Sequence, residues 1–227
     1  MSKAWLVRTE ARNRRRVEGA GTVWVKICGI TRAEDAAAAA DAGADAIGLV
    51  FAESPRRVSV AQAQAIVAAL PPGVTPVALF VDEPLAGIIA TCRALGVRTV
   101  QLHGDESPEL ARALGDLCVI KAFRVGSQAD LEALRGYPAS AYLLDAKVAG
   151  KRGGSGVRLD WDLASRATAL GRIILAGGLS PDNVAEAIRR VRPYGVDVSS
   201  GVESSAGRKD PAKVQAFVAA ARAALEA

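Results

Sequence analysis

Aromatic residues are scarce in this chain, and their scarcity limits both the kind of core and the kind of partner. Only 4% of the 227 residues are Phe, Trp or Tyr, whereas 50% are hydrophobic. The core must therefore be built from Ala, Val, Leu and Ile, the residues that fill parallel barrels. The sequence also lacks the aromatic residues, interleaved with basic ones, that stack on nucleic-acid bases. We therefore expect no nucleic-acid partner.

Cysteine is also rare, and long apolar runs are missing. The three cysteines are an odd number, widely spaced and without a Cys-x-x-Cys pair: Cys28, Cys92 and Cys118. This pattern argues against a disulfide framework and against a zinc site, and it favours a reducing cytoplasm. No run of about 18 apolar residues is present, and the N-terminus lacks the apolar segment of a secretory signal. We therefore expect a cytoplasmic protein without a metal and without membrane contact.

Positive charge is concentrated at the N-terminus. The chain carries a formal net charge of +5, to which residues 1–22 contribute +4 through six basic and two acidic side chains. The remainder is almost neutral and has no broad face for tracking phosphates. Residues 1–22 show no apolar periodicity, so we expect a disordered basic extension or an artefact of the assigned translation start. Such an extension is either a solvated segment with no role in catalysis or an electrostatic tether or targeting segment. We expect residues 23–227 to form one catalytic domain.

Short apolar runs alternate with helical patterns along this domain. They predict eight strands, at residues 23–28, 45–50, 75–81, 98–102, 118–123, 141–144, 172–176 and 195–199. Two helices are predicted to begin with capping boxes, at residues 31–34 and 59–62, in which a hydroxyl and a carboxylate or amide satisfy free backbone groups. The other start signals are at Pro84, Ser107, Ser127, Asp160, Ser180 and Asp210.

Eight strand–helix units of this kind predict an α/β fold, a single (β/α)8 TIM barrel with its helices outside. The strands are apolar throughout rather than alternating, as expected for a parallel sheet that is covered on both faces. The alternative is a doubly wound open sheet. That fold would more often have fewer strands and a glycine-rich dinucleotide turn after the first one.

The active site of such a barrel lies at the C-terminal ends of its strands, and the last two ends are rich in glycine and serine. We expect a phosphate to bind there through backbone amides and hydroxyl groups, because glycine allows an anion to approach the backbone closely. The alternative is a pair of ordinary glycine turns. The candidate phosphate-binding residues are Gly177, Gly178, Ser199, Ser200 and Gly201.

An acid and a base are predicted at two further strand ends. Cys28 ends the first strand and Asp145 the sixth, so a substrate could lie between them. The alternative for Cys28 is a small buried hydrophobic residue. Residues 147–158 are glycine-rich and basic but do not match a nucleotide-binding P-loop, and they form either a mobile lid over an anionic ligand or a flexible connector.

Seven short motifs together resemble phosphoribosylanthranilate isomerase. The resemblance extends from about Val23 to the C-terminus, and the motifs occur in the family's order: KICGIT at 26–31, FAESPR at 51–56, QLHG at 101–104, LLD at 143–145, GGSG at 153–156, AGGL at 176–179 and DVSSGVE at 197–203. It implies an Amadori rearrangement of N-(5-phosphoribosyl)anthranilate to 1-(o-carboxyphenylamino)-1-deoxyribulose 5-phosphate in tryptophan biosynthesis. It also implies that no cofactor or metal is needed, and that the protein is a monomer or a homodimer.

The resemblance also implies roles for individual residues. Asp145 is the general acid on the furanose ring oxygen, Cys28 removes the C2′ proton, and Arg56 binds the anthranilate carboxylate. A guanidinium suits that last role, because it holds a carboxylate through two parallel hydrogen bonds. A free thiol is only a few per cent ionised at neutral pH, so a nearby group should favour the thiolate.

Other polar residues near these strand ends have two possible roles. Lys26 either favours the Cys28 thiolate or pairs with Asp197 inside the barrel. His103, the single histidine, ends strand four, where it contacts the substrate or has a mainly structural role rather than acting as the base. We expect Cys92 and Cys118 to pack in the core.

Three other functions are considered. The related isomerase of histidine biosynthesis would have carboxylates at strands one and five, where this chain has Cys28 and Phe123. A non-catalytic barrel that binds a phosphorylated ligand would be expected to have lost Cys28 or Asp145. An aldolase would need a Schiff-base lysine, and Lys121 is the one inward-facing candidate on strand five.

Overall fold

The computed structural model describes residues 22–146 and 159–225. All of the predicted basic extension except Thr22 lies outside the described residues. The same is true of the loop predicted to be a lid or a connector after the sixth strand.

Eight parallel strands close into a barrel in which each strand pairs with its neighbours in chain order, and β1 pairs with β8. The predicted fold class is confirmed, and the open sheet is excluded. Every strand end lies within two residues of its predicted position. The strands are β1 Trp24–Cys28, β2 Ala46–Val50, β3 Thr75–Phe80, β4 Thr99–Leu102, β5 Cys118–Val125, β6 Ala141–Ala146, β7 Ile173–Leu175 and β8 Gly195–Val198.

The helices lie between these strands, and a small hairpin follows the last of them. The hairpin pairs β9 Glu203–Ser205 with β10 Arg208–Lys209 in antiparallel fashion. One-turn 3-10 helices span Thr168–Leu170 and Ser200–Val202. The α-helices are α1 Ala33–Asp41, α2 Val60–Ala68, α3 Leu85–Leu95, α4 Pro108–Ala113, α5 Gln128–Glu132, α6 Trp161–Ala167, α7 Val184–Val191 and α8 Pro211–Ala223. None of the described helices is long and apolar enough to cross a membrane.

One of the two predicted capping boxes forms, and the other does not. Ser59 Oγ accepts from the Gln62 amide at 3.2 Å, and Gln62 Oε1 accepts from the Ser59 amide at 2.8 Å. At the other site α1 begins at Ala33, and its N-cap makes no side-chain hydrogen bond. The Thr31 hydroxyl instead donates to the Gly207 carbonyl at 2.6 Å. A bond across the fold has replaced the local one.

The start of α7 was also predicted wrongly. It begins at Val184 rather than near Ser180. Asn183 Oδ1 accepts from the Ser180 amide at 2.9 Å, and Asn183 Nδ2 donates to the Gly178 carbonyl at 2.9 Å. These two bonds hold residues 180–183 as a turn. The glycine-rich loop after β7 is thereby tied to the helix that follows it.

The core has two layers, one inside the barrel and one between the barrel and its helices. The buried apolar residues inside the barrel include no aromatic one among the described residues, as the composition predicts. They are Ala46, Val77, Ile120, Ala122, Ala141, Leu143, Ile174 and Ala176. The outer layer is larger and includes Cys92, so the prediction for that residue is confirmed. Above the interior layer, Cys28, Val50 and Leu79 form a third cluster towards the C-terminal ends of the strands.

Two predictions for strand β5 are wrong. Cys118 is exposed rather than buried, because it begins the strand at the far end of the barrel from the C-terminal strand ends. Lys121 points away from the interior, since Ile120 and Ala122 on either side of it fill the interior layer. Its ammonium group is buried against Glu106, with an Nζ to Oε2 distance of 2.7 Å. It is therefore no candidate for a Schiff base in the barrel.

Candidate active site

A cavity of about 550 Å³ opens at the C-terminal ends of the strands. This is where the fold places active sites. Every predicted site residue except Lys26 lines it, and the chain folds so that residues from six different strand ends or loops meet there. Those residues are Cys28, Arg56, His103, Asp145, Gly177, Gly178, Asp197, Ser199, Ser200 and Gly201.

Asp145 lies near the end of β6 and is 6% exposed. Its Oδ1 atom accepts a hydrogen bond from the Ala146 amide at 2.8 Å, which leaves Oδ2 on the cavity side. Burial raises the pKa of Asp145 to about 6, the Ala146 hydrogen bond acts in the opposite direction, and the negative charge of Asp197 raises the pKa further. About a tenth of the Asp145 carboxyl groups are therefore protonated at pH 7, far more than for an unperturbed aspartate, and a general acid needs this protonated form.

Cys28 ends β1, opposite Gly48 of β2. A Cβ atom at position 48 would lie 2.7 Å from Cys28 Sγ, so the thiol requires glycine there. Burial raises the pKa of Cys28, and Lys26 opposes this effect without overcoming it. Asp197 raises the pKa further and Lys209 lowers it. Together these effects favour the thiol over the thiolate.

Lys26 lies below the cavity and is completely buried. Its ammonium group donates to Asp197 Oδ1 at 2.8 Å, so the pairing that was one of its two predicted roles is confirmed. The other predicted role was to favour the Cys28 thiolate. Lys26 does lower the pKa of Cys28, but by less than burial raises it. The buried ion pair of Lys26 and Asp197 therefore lies beneath the thiol, and both of its charges act on the pKa of Cys28.

Arg56 is held by Glu203, which is held in turn by Lys209, and neither residue was a predicted site residue. Its Nε and Nη2 atoms donate to the two oxygens of Glu203, each at 2.7 Å. Lys209 Nζ donates to Glu203 Oε1 at 2.8 Å and to the Ser199 carbonyl at 3.1 Å. Burial acts to raise the pKa of Glu203, but the bonds from Arg56 and Lys209 hold it below its ordinary value. A guanidinium has five N–H donors, so this contact leaves the Nη1 edge of Arg56 for a second carboxylate.

His103 follows β4 and lines the cavity. Its Nδ1 atom lies 2.8 Å from Gln101 Nε2, and its Nε2 atom lies 3.9 Å from Asp145 Oδ2. Burial lowers the pKa of His103 to about 4, and the positive charges of Lys26, Lys121 and Arg124 act in the same direction. The imidazole is therefore neutral at physiological pH. The histidine is a hydrogen-bonding group in the cavity and not a cation.

The two glycine-rich loops after β7 and β8 lie against each other. A Cβ atom at Gly201 would lie 2.0 Å from the Leu179 carbonyl oxygen, so the loops can meet only with glycine at that position. Gly177 and Gly178 both have positive φ, at 81° and 65°. Their backbone therefore turns in a way that side-chain-bearing residues avoid, which is typical of a concave, amide-lined anion site.

Comparison with known proteins agrees with this geometry. The family model for N-(5′-phosphoribosyl)anthranilate (PRA) isomerase matches residues 25–220. The chain belongs to this family. A relative from Pelobacter propionicus, named N-(5′-phosphoribosyl)anthranilate isomerase, is 52% identical over 199 residues, which are 87% of this chain and 95% of the relative.

Solved structures of phosphoribosylanthranilate isomerases have the same fold. One, in complex with reduced 1-(o-carboxyphenylamino)-1-deoxyribulose 5-phosphate, has a TM-score of 0.80 and 40% identity over 89% of this chain and 100% of that chain. Another, a monomeric form of the dimeric enzyme from Thermotoga maritima, has a TM-score of 0.79 and 39% identity with the same coverage. Membership of the phosphoribosylanthranilate isomerase family is what the motif resemblance predicted.

The residues missed from the sequence of this family member share one property. Each of them hydrogen-bonds to another side chain of the site, and its importance depends on that partner. They are Glu203, Lys209 and Gln101. Glu203 and Gln101 both lie inside quoted motifs, so a signal was present. Lys209 lies in a hairpin that no sequence pattern predicted.

Among the described residues, no group of three or more His, Cys, Asp or Glu side chains could hold a metal ion.

Proposed function

We propose that this protein converts N-(5-phosphoribosyl)anthranilate into 1-(o-carboxyphenylamino)-1-deoxyribulose 5-phosphate in tryptophan biosynthesis. The observation that carries the proposal is the placement of Cys28, Asp145 and the two phosphate-type loops around one cavity. Family membership, and the ligand of the solved relative, agree with this chemistry.

The first step assigns the acid role to Asp145. Its proton passes from Oδ2 to the furanose ring oxygen, and the bond from that oxygen to C1′ breaks, with its electrons staying on oxygen. The anthranilate nitrogen lone pair then forms a double bond to C1′, which gives an iminium ion. A carboxyl group with a pKa of about 6 supports this role, because it is partly protonated near neutral pH and is a better acid than water.

The second step assigns the base role to Cys28. The iminium makes the C2′–H bond acidic, and the thiolate removes that proton while its bonding electrons form the C1′–C2′ double bond and the nitrogen regains its lone pair. The resulting enolamine becomes the ketone when its hydroxyl loses a proton and C1′ gains one. Burial raises the pKa of Cys28, and the positive iminium that forms beside Sγ in the reaction offsets that effect.

Binding is assigned to two sets of residues in the cavity lining. The amides of Gly177, Gly178 and Gly201, with the hydroxyl groups of Ser199 and Ser200, bind the phosphate. Arg56 binds the anthranilate carboxylate through its Nη1 edge while Glu203 holds the opposite edge. His103 contacts the substrate from its position after β4.

These proton transfers use only side chains of this chain, and we propose that the enzyme acts without a cofactor or metal. A cytoplasmic location is proposed on the three cysteines, none of which forms a disulfide. A monomer and a homodimer are the two proposed assemblies, and light scattering on the purified protein separates them by mass.

The test follows the loss of phosphoribosylanthranilate fluorescence. We expect the wild-type protein to be active and Cys28→Ser and Asp145→Asn to be slower by on the order of 10²–10⁴-fold, the usual effect of losing a general base or acid. Cys118→Ser and Asp116→Asn are matched controls, because both residues are exposed at the other end of the barrel. An inactive wild-type protein would contradict the function, and full activity in either site variant would contradict its assigned role.

A further inference from the structure

Two buried polar atoms beside the general acid have no hydrogen-bond partner among the described residues. They are Gln101 Oε1 and His103 Nε2. Buried polar atoms in native proteins are nearly always paired, so an unpaired one in a cavity indicates a role with a ligand or in a reaction. Both residues line the cavity that contains Asp145.

The contact between these two residues determines where the imidazole carries its proton. Gln101 Nε2 lies 2.8 Å from His103 Nδ1. An amide nitrogen only donates, so Nδ1 must accept and carries no hydrogen. The proton of the neutral ring is then on Nε2, the unpaired atom, which faces Asp145 Oδ2 at 3.9 Å.

We propose that Gln101 is a positioning residue that holds His103 as the Nε2–H tautomer, so that this N–H stabilises Asp145 Oδ2 as Asp145 gives its proton to the substrate. Oδ1 already accepts from the Ala146 amide, so Oδ2 is the oxygen on which the new charge lacks a donor. A short movement of either side chain closes the gap of 3.9 Å to hydrogen-bond distance. The inference rests on the proposed function for the acid role of Asp145.

In this arrangement His103 keeps its proton throughout. The proton that reaches the substrate leaves Asp145 Oδ2, and the imidazole N–H only stabilises the carboxylate that remains. The charged groups that act on His103 are Lys26, Lys121 and Arg124, all positive, and they oppose its protonation. Asp145 is the acidic group in contact distance. The imidazole therefore serves as a neutral donor, as backbone amides do in oxyanion holes.

The tautomer can be measured without substrate. His103 is the only histidine of the chain, so a tag-free, ¹⁵N-labelled sample gives one imidazole spectrum. In a long-range ¹H–¹⁵N correlation at neutral pH, we expect Nε2 to be the protonated nitrogen and Nδ1 the bare one. A wild-type spectrum with Nδ1 protonated, or with both tautomers populated equally, would overturn the proposal.

Two variants test the role of Gln101. In Gln101→Glu, the carboxylate can only accept, so we expect the proton to move to Nδ1 and kcat to fall on the order of 10²-fold, as for a lost donor to a developing charge. In Gln101→Met, we expect mixed tautomers and a fall in kcat of about tenfold, with KM little changed. Gln215→Met, on the exposed face of α8, is the matched control.

The outcomes separate this inference from the function. A purely structural role for Gln101 would lower stability or change KM without moving the imidazole proton, and that result would overturn the inference even if the enzyme is active. An Nε2–H tautomer in a wild-type protein that does not turn over phosphoribosylanthranilate would instead contradict the proposed function and leave the tautomer assignment standing. If Gln101→Met fails to fold, the wild-type spectrum and Gln101→Glu still decide.

Discussion

Arg56 and Glu203 meet beyond the end of β1, between the loops that follow its two neighbouring strands, and share two parallel hydrogen bonds of 2.7 Å. They are 147 residues apart in the chain and join the loop after β2 to the hairpin after β8. Lys209 donates to the same carboxylate at 2.8 Å. The guanidinium is thereby held in one orientation before any substrate binds, which lowers the entropic cost of binding a carboxylate.

Replacing Glu203 with glutamine should weaken substrate binding. The amide offers one acceptor instead of two, so Arg56 loses its fixed orientation, and KM should rise about tenfold or more while kcat changes less. Steady-state kinetics measures the split, and Glu186→Gln on the surface of α7 is the control. Arg56→Ala should raise KM at least as much. A wild-type KM in either variant would contradict the assignment of Arg56 to the substrate carboxylate.

Asp145→Asn should stabilise the folded protein in a pH-dependent way. Burial raises the pKa of Asp145 from 3.8 to about 6, so the folded state binds this proton more tightly than the unfolded state does. That contribution is present below about pH 4 and is lost as the pH rises through 6, at a cost on the order of 3 kcal/mol. Asparagine does not titrate, and its oxygen can still accept from the Ala146 amide.

Urea denaturation over a range of pH tests this expectation. Asp145→Asn and wild type should have similar free energies of unfolding below pH 4, and the variant should become the more stable one above pH 6. Asp116→Asn, at an exposed position, should show no such divergence. A difference between Asp145→Asn and wild type that is the same at every pH would mean that the carboxyl group is not buried as described.

The barrel could be predicted from sequence because each strand is a short apolar run between turn signals. Parallel strands are buried on both faces, so the run begins and ends close to where the strand does, as at β3 and β8. The Thr31 capping box failed for the opposite reason. Its hydroxyl had a competing partner in Gly207, 176 residues away, which local patterns cannot reveal.

The meeting of Cys28 and Asp145 in one cavity was predictable because strand ends converge in this fold. The supporting contacts were not, since they depend on which side chains meet across the mouth. Lys26 illustrates the limit: its position gave two possible partners, Asp197 and Cys28, and only the structure shows that it bonds to the first while acting electrostatically on the second. Lys121 shows that a residue's direction on a strand can be assigned wrongly.

Glycine at position 177 should be required for activity rather than for folding alone. An alanine Cβ there would lie 2.8 Å from Asp145 Oδ1, at a φ of 81°. Gly136 has a similar φ of 73° but nothing within 4 Å of its Cβ position, so Gly136→Ala has the backbone strain without the contact. Gly136→Ala should lose about 1–2 kcal/mol of stability, and Gly177→Ala should lose more because of its added contacts.

Activity should distinguish these two glycine variants. A displacement of Asp145 by about 1 Å can cost on the order of 10²-fold in rate, so we expect Gly177→Ala to lose kcat and Gly136→Ala to retain it. Fluorescence assays at saturating substrate measure the difference. Equal kcat values for the two variants would show that the Asp145 carboxyl does not need its present position.

The buried ion pair beneath the thiol should be more important for function than for stability. In Lys26→Met, Asp197 remains buried without its partner, and the free energy of unfolding should fall by about 3–5 kcal/mol. The double variant Lys26→Met/Asp197→Leu removes both charges and should recover most of that loss. Arg112→Met, which removes an exposed pair with Glu109, should leave the free energy of unfolding close to that of wild type.

Recovery of stability should not restore activity. Lys26 lowers the Cys28 pKa more than Asp197 raises it, so removing both leaves the thiol harder to ionise. The double variant should therefore have a lower kcat/KM than wild type at neutral pH, and the deficit should shrink as the pH is raised and the thiolate fraction recovers. Urea denaturation and a pH–rate profile on the same samples measure both effects. A double variant that is as stable and as active as wild type would show that the ion pair has no electrostatic effect on Cys28.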